Sequence, residues 1–227
     1  MHKYLLGIMG LLVVLLSSCS DSLSETVTYK INEPVFMSNE AFRSSVKVST
    51  GSVAITNFGK ICFYNGYLYI SESGKGIHII DNTNPADPKN IGFIELLGNA
   101  DLSIRNNLLY ADSYIDLVWF DVTIPAAPVL KGRLEDVFPK ALPAIENNYG
   151  FDYEMCYNES TDKGVVVGWE LKDRTESIDN YTGGWYWNWG NAKDDLYTSD
   201  GAMAGNSVHG SMSRFTLYDS KLYAVTV

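Results

Sequence analysis

One stretch of the sequence occurs twice, and this repetition is the strongest constraint on the fold. Residues 61–94 and 102–134 align at a spacing of 41 residues near their start and of 40 after a one-residue deletion. The identical pairs are Asn65 and Asn106, Leu68 and Leu109, Tyr69 and Tyr110, Ser73 and Ser113, Asp81 and Asp121, Thr83 and Thr123, Pro85 and Pro125, Ala86 and Ala126, Pro88 and Pro128, and Gly92 and Gly132. A third, partial copy begins at Phe215, where residues 218–223 match residues 64–69. We expect all copies to share one local structure.

The first half of each copy predicts a tight β-hairpin. Asn65-Gly66 separates two strand-like segments, 60–64 and 67–71. This dipeptide tolerates the two positive φ angles that a two-residue hairpin turn requires. Asn106-Asn107 and Asp219-Ser220 hold the same place in the other copies.

The second half of each copy predicts two further strands. The third strands, 77–81 and 117–121, are nearly continuous apolar runs, which is typical of strands covered on both faces. Asp81 and Asp121 then open Asp-x-Thr-x-Pro-Ala-x-Pro, where the Asp side chain can accept hydrogen bonds from turn amides. The predicted fourth strands are residues 90–96 and 129–134.

A period near 40 residues that contains only strands predicts an all-β fold built from four-stranded blades of a β-propeller. Residues 46–134 then hold two blades, and residues 213–227 begin another. Closing a propeller takes typically four or more blades. We therefore expect the chain to be the N-terminal part of a longer protein, and residues 46–55 to pair with strands beyond residue 227.

The repeated segments resemble a known family. Ile77-His78-Ile79-Ile80-Asp81 and Leu117-Val118-Trp119-Phe120-Asp121, each followed by the Pro-Ala-x-Pro turn, are similar to the LVIVD repeat of exported bacterial proteins, above all of Bacteroidetes-type lipoproteins. The resemblance covers about residues 29–138 and resumes at Gly210. It implies a propeller and a membrane-anchored, exported location, but no catalytic residues. Trp119 and Phe120 replace the usual small aliphatic residues, so we expect a roomier slot between blades there.

The N-terminus predicts export. Lys3 precedes an apolar run from Leu5 to Leu16 that is interrupted only by small residues. Twelve helical residues span about 18 Å, well short of the roughly 30 Å hydrocarbon core, so residues 1–18 are typical of a signal peptide.

The residues that follow indicate lipid anchoring. Leu16-Ser17-Ser18-Cys19 resembles a bacterial lipobox, in which the cysteine is lipidated and becomes the mature N-terminus; an ordinary secretory cleavage among the same serines is the alternative. Residues 19–45 are then the lipidated N-terminus and tether. Acids behind Cys19 resemble export signals of surface lipoproteins, which favours the outer membrane, on its surface or periplasmic face.

A long insertion, residues 135–212, separates the second and third copies. It contains one predicted strand, residues 165–170, and an aromatic run. If that run is extended, Trp185, Trp187 and Trp189, with Tyr186 between them, form a platform suited to a sugar ring or to another protein's aromatic residues. The alternative is that the indoles cap the propeller core.

Other chemistry is sparsely represented. An exported compartment permits a Cys62–Cys156 disulfide, but a lone cysteine in a strand is more often a small buried hydrophobe, so we expect free thiols. No zinc motif, nucleophile elbow or P-loop occurs, and Asp194, Asp195 and Asp200 match no EF-hand spacing. We expect no metal, cofactor or catalytic residues.

The charge narrows the partners. With 27 acids against 17 bases the chain has a net charge of -10, which disfavours nucleic acid as a partner. The same charge predicts that the lipid, and not a basic patch, holds the protein at the membrane. The sequence therefore predicts a non-enzymatic envelope lipoprotein that binds a glycan or an envelope protein. The alternative is a propeller hydrolase or lactonase-like metal-dependent enzyme, because one fold hosts both classes.

Replacing Cys19 should abolish lipid attachment. Cys19→Ser is expected to remove incorporation of radiolabelled fatty acid, because the thiol that would carry the lipid is gone. Cys62→Ser is the matched control and should retain the label. Label that persists in Cys19→Ser would contradict the lipobox assignment.

Overall fold

The computed structural model describes residues 25–158, 163–178, 214–219 and 221–225, without the side chain of Asn158. The strands are β1 (Thr26–Met37), β2 (Lys47–Thr50), β3 (Phe58–Tyr64), β4 (Tyr67–Glu72), β5 (Gly76–Asp81), β6 (Lys89–Glu95), β7 (Leu102–Arg105), β8 (Leu108–Ser113), β9 (Asp116–Asp121), β10 (Val129–Leu134), β11 (Val165–Ser177), β12 (Phe215–Tyr218) and β13 (Lys221–Ala224). The helices are α1 (Asn39–Ser44) and α2 (Tyr153–Asn158). None of the described helices is long and apolar enough to cross a membrane.

The two full copies form two sheets of the same design. In the first-repeat sheet β3, β4, β5 and β6 pair in sequence order, and in the second-repeat sheet β7, β8, β9 and β10 do the same. All of these pairings are antiparallel. The third copy contributes the β12–β13 hairpin. The all-β class predicted from the repeat is confirmed.

The hairpin turns follow their sequences. Asn65 and Gly66 have φ angles of 50° and 84°, and Asn106 and Asn107 have φ angles of 52° and 60°. Two consecutive positive φ angles define the type I′ turn, whose twist matches that of the flanking strands. Asp219 also has a positive φ, 44°. The predicted hairpins are therefore confirmed in both full copies.

The Asp-x-Thr turns also form as expected. The Asp81 Oδ1 atom accepts a hydrogen bond from the Thr83 amide at 3.0 Å, and Asp121 Oδ1 accepts one from the Thr123 amide at 2.9 Å. These bonds cap the chain where it leaves the third strand. The Thr83 hydroxyl, which also donates to Asp81, and the Thr83 amide lower the pKa of Asp81. Each turn then delivers the chain to the outer strand of its sheet.

Successive copies pack face to face. The main core lies between the first- and second-repeat sheets, and its buried members are Tyr69, Ile77, Ile79, Ile94, Leu96, Leu102, Leu109, Ala111, Val118, Phe120 and Val122. A second core, formed by Leu117, Phe138, Ala141 and Phe215, joins the second-repeat sheet to the β12–β13 hairpin. The first strands β3, β7 and β12 are neighbours in that order. The third strands β5 and β9 are almost wholly buried, as their apolar runs predict.

Residues 46–55 were predicted to pair with strands beyond residue 227, and this prediction is wrong. Strand β2 pairs with β6, with Lys47 opposite Glu95 and Thr50 opposite Gly92, and so adds a fifth strand to the first-repeat sheet. Residues 51–55 form no strand and are exposed.

The expected tether is partly structured. From Thr26 onwards it forms β1, which pairs with β11 over its whole length, from Thr26 opposite Ser177 to Met37 opposite Val165. The Ser38 hydroxyl then caps α1 by accepting the Ala41 amide at 3.2 Å. The predicted strand at residues 165–170 is the first half of β11. Only tertiary pairing reveals this ribbon, since its strands lie far apart in sequence.

The bulky side chain of Trp119, in the second repeat, occupies space within its own sheet. A Cβ atom added at Gly132 would lie 2.2 Å from the Trp119 Cζ2 atom. The register of β9 and β10 shifts between Leu130 and Gly132, beside Trp119. Gly132, next to the bulge, therefore leaves room for the indole of Trp119. At the corresponding position of the first repeat, Ile79 lies opposite Gly92.

Adding a methyl group at Gly132 should destabilise the second-repeat sheet. Gly132→Ala is expected to lower the free energy of unfolding by about 1–3 kcal/mol because the indole must move. In a Trp119→Leu background the same change should cost much less. Gly59→Ala is the control, since its added Cβ would lie 3.6 Å from Ser71, an ordinary contact. Equal losses for the two alanines in urea unfolding would contradict the assignment.

Candidate binding cleft

A cleft of about 370 Å³ opens where several loops meet at one end of the two repeat sheets. Its lining comes from four places: the β4–β5 turn at residues 73–75, the β6–β7 connection at residues 98–100, the segment at residues 142–147, and residues 167–169 of β11. Single residues complete it, namely Asn57, Tyr114 and Arg214. All three copies of the repeat thus contribute to one concave surface, which we call the cleft.

Two glycines bring the loops of the cleft together. The Gly74 amide donates to the Asn99 carbonyl at 2.8 Å, and the Gly98 amide donates to the Gly74 carbonyl at 2.9 Å. Gly74 and Gly98 have φ angles of 73° and 74°, which side chains rarely allow. A Cβ added at Gly98 would also lie 2.3 Å from the Tyr114 ring. The connection therefore lies directly against this ring.

Tyr114 is held in an unusual conformation. Its φ is 43°, which is uncommon for a bulky side chain and costs on the order of 1–3 kcal/mol unless the surroundings enforce it. Its ring packs on Gly98 and lies 6.2 Å from the Phe42 ring, centroid to centroid. Burial raises the pKa of the phenol to about 12, although Arg214 lowers it. The hydroxyl therefore stays protonated and donates to the Val167 carbonyl at 3.3 Å.

A buried acid ends the second strand of each full copy. In the first copy it is Glu72, whose Oε1 atom accepts the Asn57 amide at 2.9 Å and also the Thr56 hydroxyl. Its Oε2 atom accepts the Thr56 amide at 3.1 Å and lies 3.1 Å from His78 Nε2. Glu72 thus fixes the backbone that leads into β3.

Asp112 plays the same part in the second copy. Its Oδ1 atom accepts the amides of Ala100 and Asp101, both at 2.8 Å, and the Asn99 side-chain amide at 3.1 Å. Its Oδ2 atom accepts Arg214 Nη1 at 2.9 Å. Asp112 therefore fixes the backbone that leads into β7 and holds an arginine of the third copy.

The two acids differ in electrostatics although their places correspond. Burial raises the pKa of Glu72, but the bonds from Thr56, Asn57 and His78 lower it more, so that it falls to about 2. For Asp112, which is wholly buried, desolvation outweighs Arg214 and the two backbone amides, and its pKa rises. Hydrogen bonding therefore determines the direction of the pKa shift of Glu72, and removal from water determines that of Asp112.

Asn99 connects the two sheets beneath the cleft. Its Oδ1 atom accepts the Ser71 hydroxyl at 2.7 Å, and its Nδ2 atom donates to the Asp101 carbonyl at 3.0 Å and to Asp112. Asn99 is fully buried. Since both ends of its amide are used, replacing it would leave buried polar groups unpaired.

The third copy is joined to this network through its first residues. The Arg214 amide donates to Asp101 Oδ2 at 2.7 Å, while its guanidinium binds Asp112. Asp101 also forms an ion pair with Lys60 of β3. The carboxylates of Asp101 and Asp112 thereby connect β3, β7 and the start of β12.

The β11 side of the cleft presents an anchored indole. Trp169 Nε1 donates to the Pro143 carbonyl at 2.9 Å, and its ring lies 5.0 Å from that of Phe151. Asn147, also in the lining, exchanges two 2.9 Å hydrogen bonds with the buried Asn32 of β1. The cleft therefore has an aromatic wall and a fixed amide.

The residues singled out from the sequence have mixed positions. Cys19 and the predicted platform of Trp185, Tyr186, Trp187 and Trp189 lie outside the described residues. Neither Cys62 nor Cys156 forms a disulfide among the described residues.

His78, a residue of the repeated segment 77–81, is fully buried in β5. Its ring centroid lies 4.6 Å from that of Phe93, and its Nε2 atom contacts Glu72. These contacts give it a structural position in the sheet.

The sequence interpretation missed the cleft itself. One signal was available, because Glu72 and Asp112 occupy aligned positions of the two copies and are both acids. Arg214 and Trp169 carried no such signal, since they lie outside the two aligned copies. Only the packing of β11 and β12 against the sheets brings them here.

Neither metal chemistry nor a known relative helps to define the site. Within the described ranges, no group of three or more His, Cys, Asp or Glu side chains could hold a metal ion. Comparisons with protein-family models, curated proteins and solved structures find no match. The chemistry of the cleft therefore has to be argued from its own residues.

The Glu72 network should make stability depend on pH. A carboxylate whose pKa falls from 4.5 to about 2 on folding adds stability that is complete above pH 4.5 and is lost as the pH falls towards 2. Glu72→Gln is expected to lower the free energy of unfolding on the order of 3 kcal/mol at pH 7, and by less near pH 3.

The matched control is Glu95→Gln, which changes an exposed acid on β6 of the same sheet. Urea unfolding of the wild type and both variants at several pH values separates the effects. A Glu72→Gln loss that is the same at pH 7 and pH 3 would show that the charge of Glu72 is not responsible.

Proposed function

We propose that the chain is an exported, lipid-anchored lipoprotein of the cell envelope, whose repeats form a β-propeller and whose loops bind a glycan or a protein partner. The cleft is the observation that carries the binding function. It gathers residues from three copies of the repeat and from β11 at one end of the sheets. Concave sites assembled from loops on a rigid scaffold are where binding residues concentrate.

The relation between the copies supports the propeller. A propeller places the first strand of every blade next to the first strand of its neighbours, around a shared axis. Strands β3, β7 and β12 are neighbours in chain order, and the sheets pack through their faces. The β12–β13 hairpin repeats the first two strands of a blade.

The N-terminal sequence supports the anchored location. The apolar run of residues 5–16 and the lipobox-like residues 16–19 together give an export signal and a lipid attachment site. The net charge of -10 would oppose adsorption to anionic lipid head groups, so a covalent lipid is the consistent means of attachment.

The lining favours a glycan over a protein as the ligand of the cleft. A volume of about 370 Å³ lies in the range of small-molecule sites, roughly 300–1,000 Å³. Sugars present apolar C–H faces that stack on aromatic rings and hydroxyl groups that bond to amides and charged groups. Trp169, Tyr114, Asn57 and Asn147 supply both kinds of surface.

Binding should depend on the cleft. In a fluorescence titration of the purified protein against a panel of polysaccharides, at least one is expected to quench the indole emission. Ala144→Trp, which adds bulk to the lining, should weaken that response at least about tenfold. Ala127→Trp, in the exposed turn after β9, is the control for an added indole.

Two results would count against this function. Membrane fractionation that finds the wild-type protein free of the envelope would refute the anchored location. Failure of every polysaccharide and of cross-linking to any envelope protein would refute the binding role.

A further inference from the structure

We propose that the cleft selects an acidic carbohydrate, one whose sugar rings carry carboxylates. This inference rests on the proposed binding function and names its ligand class. Three charged side chains line the cleft: Lys75, Arg214 and Glu146. Two of these three side chains are cations, although the chain has a net charge of -10.

Both cations are positioned by the acids that end the second strands. Lys75 Nζ lies 3.7 Å from Glu72 Oε1 and 3.4 Å from Thr56 Oγ1, and its side chain is 64% exposed. Arg214 Nη1 lies 2.9 Å from Asp112 Oδ2, and its side chain is 10% exposed. Lys75 thus stands at the open side of the cleft and Arg214 at its base, each attached to a different repeat.

The supporting acids do not cancel this attraction for a ligand. Glu72 and Asp112 are 3% and 0% exposed, and each accepts two backbone amides besides its cation. Both carboxylates lie below the surface, while the side chain of Lys75 is 64% exposed. A ligand carboxylate can therefore approach Lys75 and pair with it.

The remaining lining fits a sugar ring that carries this carboxylate. The Trp169 indole is fixed by its bond to Pro143, and the Tyr114 phenol by its bond to Val167. Rigid aromatic rings provide contact area at little entropic cost. Glu146 is exposed in the same lining and can accept sugar hydroxyls, whereas it would repel a second carboxylate placed beside it. The arrangement favours one acid group near Lys75.

The test compares two tetrasaccharides that differ in charge. Isothermal titration of the purified full chain with tetragalacturonate and with cellotetraose, at 50 mM and 500 mM salt, measures the selectivity. We expect tetragalacturonate to bind at least about tenfold more tightly at low salt, and this preference to shrink at high salt because exposed charges are screened.

Charge variants locate the effect. Lys75→Met removes the ammonium group at an exposed position and should abolish the preference, and Lys75→Glu should reverse it. Lys89→Glu is the matched control: its side chain is 69% exposed, it pairs with Asp87 at 3.6 Å, and it does not line the cleft. Thermal unfolding of each variant distinguishes lost binding from lost folding, and Lys75→Met is expected to unfold like the wild type.

The outcomes distinguish a failure of this inference from a failure of the proposed binding function. Equal binding of both tetrasaccharides, or a preference that survives Lys75→Met, overturns the acidic ligand and leaves the glycan-binding function intact. Displacement of tetragalacturonate by polyglutamate at equal affinity would reassign the cleft to acidic peptides. Failure of both sugars, with a cross-linked protein partner, overturns the inference alone; failure of all ligands overturns both.

Discussion

The architecture depends on one interaction that occurs in each full copy: a buried carboxylate at the end of the second strand accepts the backbone amides that lead into the first strand. Glu72 holds residues 56 and 57, and Asp112 holds residues 100 and 101. Charged acceptors form stronger hydrogen bonds than neutral ones, and a buried carboxylate without donors would be costly. Each acid therefore fixes where its sheet begins, and with it the loops at that end.

The same carboxylates connect structure to the candidate site. Asp112 also binds Arg214 from the third copy, and Glu72 lies beside Lys75. The groups that position the sheets thus also position the cations of the cleft. Asn99 is buried between the two repeat sheets. It bonds to Ser71 of the first repeat and to Asp112 of the second, so the two repeats share one hydrogen-bond network. A ligand bound here would contact a surface whose geometry is set by the sheet packing and not by loose loops.

Much of the fold was accessible from local sequence. Asn-Gly and Asn-Asn turns, Asp-x-Thr turns and apolar third strands predicted the hairpins, the antiparallel order and the burial of β5 and β9, because each signal acts over a few residues. The β1–β11 ribbon was missed because its strands are separated by more than a hundred residues. The partner of β2 was predicted wrongly because local sequence does not specify which of several strands an edge strand pairs with; it pairs with β6.

The sequence by itself determined the repeat and the strand order within each copy, and the proposal of export and lipid attachment rests on it alone. These are local or periodic properties, readable without knowing what packs on what. Only the tertiary structure decided that Trp169, Tyr114, Lys75 and Arg214 line one cleft. They come from β11, two turns and the start of the third copy, and sequence periodicity does not encode contacts between elements outside the repeat. Asp112 holds Arg214 there, and bonds to Val167 and Pro143 hold Tyr114 and Trp169, because buried polar groups must find partners.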